Sequence, residues 1–222
     1  MGSNVLAQIK TTLTENKKIV ILYKLYKRLR VVRRSPYENI YYCCTQKTAS
    51  QWFNVVFSDP IVHKYTGLDV FPFDQVVDRL QDARFYGPFP KYTIGSHLYI
   101  DYPTYLTIPK PAKYRTFFIL RDPRDIVVSW YFSVRYSHPI IGKLPKFRND
   151  LENLSLSEGL KYSIDKIGEA GLFDAQRSWM HVSEDRENIR IFRYEDFVRD
   201  DCSFLKQLFD YLDIEMPEKD FS

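Results

Sequence analysis

Lys47 stands in the stretch Thr45-Gln46-Lys47-Thr48-Ala49-Ser50-Gln51-Trp52, between the apolar run Ile40 to Cys44 and the segment Trp52 to Phe57. A lysine charge, the hydroxyls of Thr48 and Ser50, the Gln51 amide and the N–H groups of a following helix can converge there on one anion, a phosphate or a sulfate. No glycine precedes Lys47, so the GxxxxGK[ST] pattern of ATP and GTP phosphate loops is absent. A second candidate lies in Arg121-Asp122-Pro123-Arg124-Asp125, where Arg121 before a helix and Ser129 within it pair a guanidinium with a hydroxyl. Two such turns on one sheet imply a ligand carrying two anionic groups. The competing structural readings are an ion pair from Arg121 to Asp122 or Asp125, and a Ser129 hydroxyl bonded back to its own helix. His97 and the triplet Tyr194-Glu195-Asp196 complete the chemically capable residues, although a lone histidine is ordinarily structural or solvated.

Each of these groups follows, or lies near, a segment that reads as a strand. Ile40 to Cys44, Tyr92 to Ser96, Arg115 to Leu120 and Ile189 to Phe192 carry strand patterns. Helices are expected over Trp52 to Phe57, from Phe73 to Ala83, from Pro123 through Tyr131 and beyond, from Ser157 to Ile167, from Leu172 to His181 and from about Asp201 to Leu212. Asp122 as cap and Pro123 in the first turn are start signals for the third of these. Alternating strands and helices give an α/β class with a central, mainly parallel sheet flanked by helices. Ligands of such sheets sit beyond the carboxyl ends of the strands, which is where the anion turns fall. Ser137 to Asp150, with two prolines and mixed charge, reads as a connecting loop.

The chain has 222 residues and a formal net charge of +4, consistent with one domain over 1–222 and too weakly basic to call for nucleic acid. Adjacent Cys43 and Cys44 point to opposite faces of a strand, so with Cys202 they indicate neither a disulfide framework nor a metal cluster. That cysteine pattern fits a reducing, cytoplasmic setting; no apolar run reaches membrane-spanning length and no secretory leader is apparent. Lys17 to Arg34 interleaves apolar residues with eight lysines and arginines, the pattern of an amphipathic helix that either docks on the domain or touches anionic lipid as a peripheral membrane contact. Phe71, Phe73, Phe85 and Phe89 fall in an aromatic-rich stretch that either fills core or lines a pocket for an apolar ligand.

Taken together, the motifs resemble those of the PAPS-dependent sulfotransferase family over most of the chain. Gln46 to Trp52 is similar to that family's PKSGTTW at the lysine, the tryptophan and, by type, the hydroxyls, with Ala49 in place of glycine, which requires a negative φ at Ala49. Arg121 to Tyr131, RDPRDIVVSWY, closely resembles RNPKDVAVSYY, and Tyr194-Glu195-Asp196 resembles the YED triplet. Gly95-Ser96-His97-Leu98 resembles KTHLP at His97 and Leu98, where the family's catalytic histidine follows a short strand.

The resemblance implies a P-loop nucleoside-kinase-like fold and a sulfuryl transfer from PAPS, 3′-phosphoadenosine 5′-phosphosulfate, to a hydroxyl or amine, leaving PAP. It assigns His97 as base and Lys47 as the group meeting charge on the departing phosphate. Lys47, Thr48, Ala49, Ser50, Gln51 and Trp52 would hold the 5′ end and adenine, Arg121 and Ser129 the 3′-phosphate, and Tyr194 would lie near the adenine. No metal is called for, and the acceptor is a small molecule: an aromatic, a lipid or a sugar alcohol. The family's RKGxxGxWK segment, which closes over the cofactor, is not found up to Ser222. The alternatives are a PAP- or PAPS-binding module of the same fold without turnover, and a nucleotide kinase, which the missing glycines disfavour.

Overall fold

The computed structural model describes residues 29–73, 78–139, 142–182 and 186–220. Strand β1 (Asn39–Cys44) is buried along its whole length. It forms the centre of a five-stranded sheet with β2 (Asp69–Pro72), β3 (Thr93–Tyr99), β4 (Tyr114–Leu120) and β5 (Ile189–Arg193), in the order β2-β3-β1-β4-β5. Every pairing is parallel. A central parallel strand is covered on both faces, which is why β1 reads as an unbroken apolar run.

Strand alternation divides β1 between two cores. Ile40, Tyr42 and Cys44 pack with Phe53, Phe57, Phe117 and Phe204 on one face. Tyr41 and Cys43 pack with Leu98, Tyr105, Phe118 and Trp179 on the other. The two neighbouring cysteines thus lie on opposite faces, each a free thiol. Helices α1 (Ser50–Ser58), α2 (Pro60–Thr66), α3 (Tyr102–Leu106) and α4 (Pro123–Phe132) follow β1, α1, β3 and β4 in turn. Asp122 caps α4 by accepting from the Arg124 amide, with Pro123 in the first turn, as the sequence signals predict. A π turn over Ser133–Ser137 leads on to α5 (Leu144–Glu152), α6 (Leu156–Glu169) and α7 (Leu172–Met180). Gly159 lets α6 approach α4 closely: a Cβ there would stand 2.5 Å from the buried ring of Tyr131. After β5 come α8 (Tyr194–Arg199) and α9 (Asp201–Tyr211).

Three local expectations change. The helix expected from Phe73 to Ala83 is, among the described residues, a single 3₁₀ turn at Leu80–Asp82. The loop expected from Ser137 to Asp150 contains most of α5, because a proline at its second position costs nothing in a first turn that lacks an internal N–H partner. His97 does not follow its strand but lies within β3. Most of the basic segment Lys17 to Arg34 falls outside the described residues. Among the described residues no helix is long and apolar enough to cross a membrane. The phenylalanines of the aromatic stretch pack on one another, with Phe73 stacked on Phe85 and Phe71 edge-on to Phe89.

Candidate active site

The loop from β1 to α1 is shaped by two residues in the left-handed region, Lys47 (φ 69°) and Ala49 (φ 60°). Thr48 between them and Ser50 after them are not left-handed, so the sign of φ alternates along the loop. Alternation of this kind turns successive backbone N–H groups inward to form an anion-binding nest. Ala49 therefore does not meet the negative-φ condition; the tertiary fold holds a side-chain-bearing residue where glycine would sit without strain. The turn is closed by Thr48, whose hydroxyl donates to the Thr45 carbonyl at 2.8 Å. No side chain caps α1, leaving its first amides to the loop. Gln51 and Trp52 stand in the first turn of α1, Gln51 exposed and Trp52 half-buried.

Arg121, just past β4, reaches across this loop. Its guanidinium donates to the Lys47 carbonyl at 2.5 Å and lies 3.9 Å from the centre of the Tyr194 ring. Neither cation forms an ion pair among the described residues. Asp122 is taken by Arg124, so the anticipated pairing of Arg121 with Asp122 or Asp125 is not formed. Burial, and secondarily the charge of Arg121, holds the Lys47 ammonium below the ordinary lysine pKa. The buried Nε of Arg121 has no hydrogen-bond partner among the described residues. Two adjacent cations without a carboxylate, one with an unused buried donor, make a site that an anion would complete.

Sheet register explains the convergence. Leu120 pairs with Arg193, which sets Arg121-Asp122 beside Tyr194-Glu195. Glu195 accepts the Asp122 amide at 3.0 Å, so the acidic member of the triplet braces the start of α4. Gln176 on α7, 4 % exposed, donates to the Thr45 hydroxyl at 2.5 Å and accepts the Arg121 amide at 3.3 Å. Its helix is anchored three residues later by Trp179, stacked on Phe118 and donating to the Ile100 carbonyl at 3.1 Å. Residues three apart share a helix face, so the anchored indole aims the Gln176 amide at the two loops. Motif matching passes over Gln176, and no local signal marks it.

The aromatic side of the site comprises Trp52, Phe197 and Tyr194. Trp52 lies 4.7 Å from Phe197, which lies 5.7 Å from Tyr194. Ser129 is half-buried about two turns into α4, and its hydroxyl forms no hydrogen bond among the described residues. His97 is half-buried near the carboxyl end of β3. There the pairing with β1 slips, from Tyr41 opposite Gly95 to Cys43 opposite Leu98, a bulge that re-aims the side chain. Its ring lies 4.8 Å from that of Tyr99, whose hydroxyl is 2.7 Å from the Ser50 hydroxyl. Lys47, Thr48, Ala49, Ser50, Arg121 and Tyr194 thus form one connected group, which His97 joins through Tyr99 and Trp52 through Phe197. Beyond Arg121, a cleft of about 760 Å³ opens between α7 and α8, lined by Leu120, Gln176, Met180 and Glu195 among others.

A family profile for the sulfotransferase domain matches residues 40–222. The chain belongs to the sulfotransferase family. The solved structure of mouse sulfotransferase SULT7A1 complexed with PAP superposes on this sulfotransferase chain with a TM-score of 0.51 at 15 % identity, over 84 % of this chain and 62 % of that one. The chain therefore spans under two thirds of the mouse protein's length, and the likeness is one of fold. A sulfotransferase from Alicyclobacillus acidocaldarius aligns over 86 % of this chain and 89 % of its own, with a TM-score of 0.39 and 12 % identity. No functionally curated protein matches the sequence.

Proposed function

We propose that this chain is a cytoplasmic PAPS-dependent sulfotransferase that sulfates a hydroxyl or amine of a small acceptor. The observation that carries the reading is the pair Lys47 and Arg121, joined through one carbonyl at an amide-lined loop, neither of them in an ion pair among the described residues. Residues with donors to spare and no acid partner suit a bisphosphorylated nucleotide. Trp52 and Tyr194 offer aromatic surface for its base, and Arg121 and Ser129 would hold its 3′-phosphate. When bound, PAPS supplies the sulfuryl group and PAP is the product left behind.

The protein's own contribution is positioning and charge. His97 takes the proton from the acceptor's nucleophile. Lys47 and the amides of the nest stabilise negative charge developing at the 5′-phosphate as the sulfuryl group departs. Glu195 and Gln176 fix the two loops so that these donors need not reorganise. The family relationship supports a transferase; the donor and the roles of His97 and Lys47 are the proposal.

Calorimetry with PAP and with ATP, followed by turnover of PAPS on phenols, alcohols and sugars, tests it. PAP is expected to bind and ATP to bind weakly, with His97→Ala retaining PAP while kcat falls on the order of 10²–10⁴-fold. Preference for ATP would sink the assignment, and unchanged turnover in His97→Ala would remove the base. PAP binding with no product from any acceptor would favour a binding module.

A further inference from the structure

The family pattern KTHLP has proline two residues after the histidine, and this chain has Tyr99. Strand geometry puts residues two apart on one face of the sheet, so the Tyr99 ring meets the His97 ring, 4.8 Å away and tilted by 59°. Register pairs Tyr99 with Cys44, the last residue of β1, and so brings the phenol to the loop that begins at Thr45. Its hydroxyl lies 2.7 Å from Oγ of Ser50, itself only 6 % exposed, and the Gln51 side chain interacts with the same phenol. Burial raises the phenol above its ordinary pKa, so it stays protonated. A proline at this position would supply neither ring contact nor hydroxyl.

The geometry points to Tyr99 as a positioning residue that ties the histidine strand to the anion loop and orients the Ser50 hydroxyl toward the bound anion. A phenol is the stronger donor of the two hydroxyls. With Tyr99 donating, Ser50 Oγ accepts and keeps its own proton to offer into the nest beside Lys47. Without the phenol, the Ser50 proton is free to rotate away, and the loop loses the Ser50–Tyr99 link to β3. The ring acts separately, as a wall beside the His97 imidazole. The inference rests on the reading of the loop as an anion site and of His97 as base.

The test is PAP affinity by calorimetry for Tyr99→Phe, Ser50→Ala and the double variant, with kcat and its pH profile where turnover is found. Tyr99→Phe is expected to weaken PAP about fivefold to tenfold. The double variant should bind no more weakly than Ser50→Ala alone, since the phenol acts through the serine. Tyr99→Phe keeps the ring and so the acidic limb of the kcat profile, whereas Tyr99→Leu shifts that limb. Should Tyr99→Leu fold poorly, the Phe and Ser50 variants, which preserve strand packing, still decide the case. Parent-like PAP affinity in Tyr99→Phe, or losses that add in the double variant, overturn the role of Tyr99 alone. A parent that binds no PAP overturns the anion-site reading and this inference with it.

Discussion

Ala49 offers a direct measure of how firmly the fold imposes the conformation of the β1–α1 loop. Its backbone lies at φ 60°, ψ 25°, the left-handed region. For an L-residue with a Cβ this conformation costs about 1–2 kcal/mol, a cost that glycine escapes. Replacing Ala49 by glycine removes the strain. It also gives the unfolded chain more freedom, worth about 0.4–1 kcal/mol in the opposite direction. The methyl is half-buried and packs against the core around Phe53, so its loss costs a further ~0.4 kcal/mol. At the middle of these ranges the contributions nearly cancel, and Ala49→Gly should leave stability within about 0.5 kcal/mol of the parent. At an ordinary helical position the same change costs about 1 kcal/mol. Ala49→Val places a β-branched residue in the same region, and about 2–3 kcal/mol should be lost. At roughly 2–4 °C per kcal/mol for a chain of this size, the glycine variant should melt within about 2 °C of the parent and the valine variant about 4–12 °C lower. Differential scanning fluorimetry with and without PAP reads both stability and loop integrity; the glycine variant should keep the PAP-induced rise and the valine variant should lose most of it. A glycine variant melting more than about 3 °C low, alongside a tolerated valine, would refute the left-handed assignment and the nest built on it.

Lys110 donates to the Tyr105 and Ile108 carbonyls at 2.7 and 2.9 Å, and burial lowers its pKa to about 8. Between that value and the ordinary lysine value the unfolded chain holds the extra proton, so this group makes stability rise with pH across that window and not below it. Urea unfolding from pH 7 to 10.5 should show this component in the parent and not in Lys110→Met; identical slopes would count against it. Gln176→Ala removes one buried and one partly buried hydrogen bond and their shared side chain, and about 2–3 kcal/mol should be lost, with weaker PAP binding as the Thr45 and Arg121 loops separate. A loss under about 1 kcal/mol in chemical denaturation would show that the brace matters little.

The amino-acid sequence determined the α/β class, the four longer strands and the start of α4, because these are written in local patterns. An unbroken apolar run marks a strand covered on both faces, and Asp-Pro marks a helix start wherever it occurs. Three motifs at strand ends also pointed to the loops that meet at the candidate site. Conformations that depend on distant partners were decided only in the folded chain. Thr48-Ala49-Ser50 contains nothing that announces a left-handed residue, and the strain is borne because Thr48, α1 and the Arg121 bond to the Lys47 carbonyl hold the loop around it. Gln176 meets Thr45 from 131 residues away, and Glu195 meets the Asp122 amide from 73. In the sequence these are one glutamine on an amphipathic helix and one acid after a strand. Their function as braces arises from strand register and from Trp179 packed on the sheet, so it is a property of the tertiary structure alone.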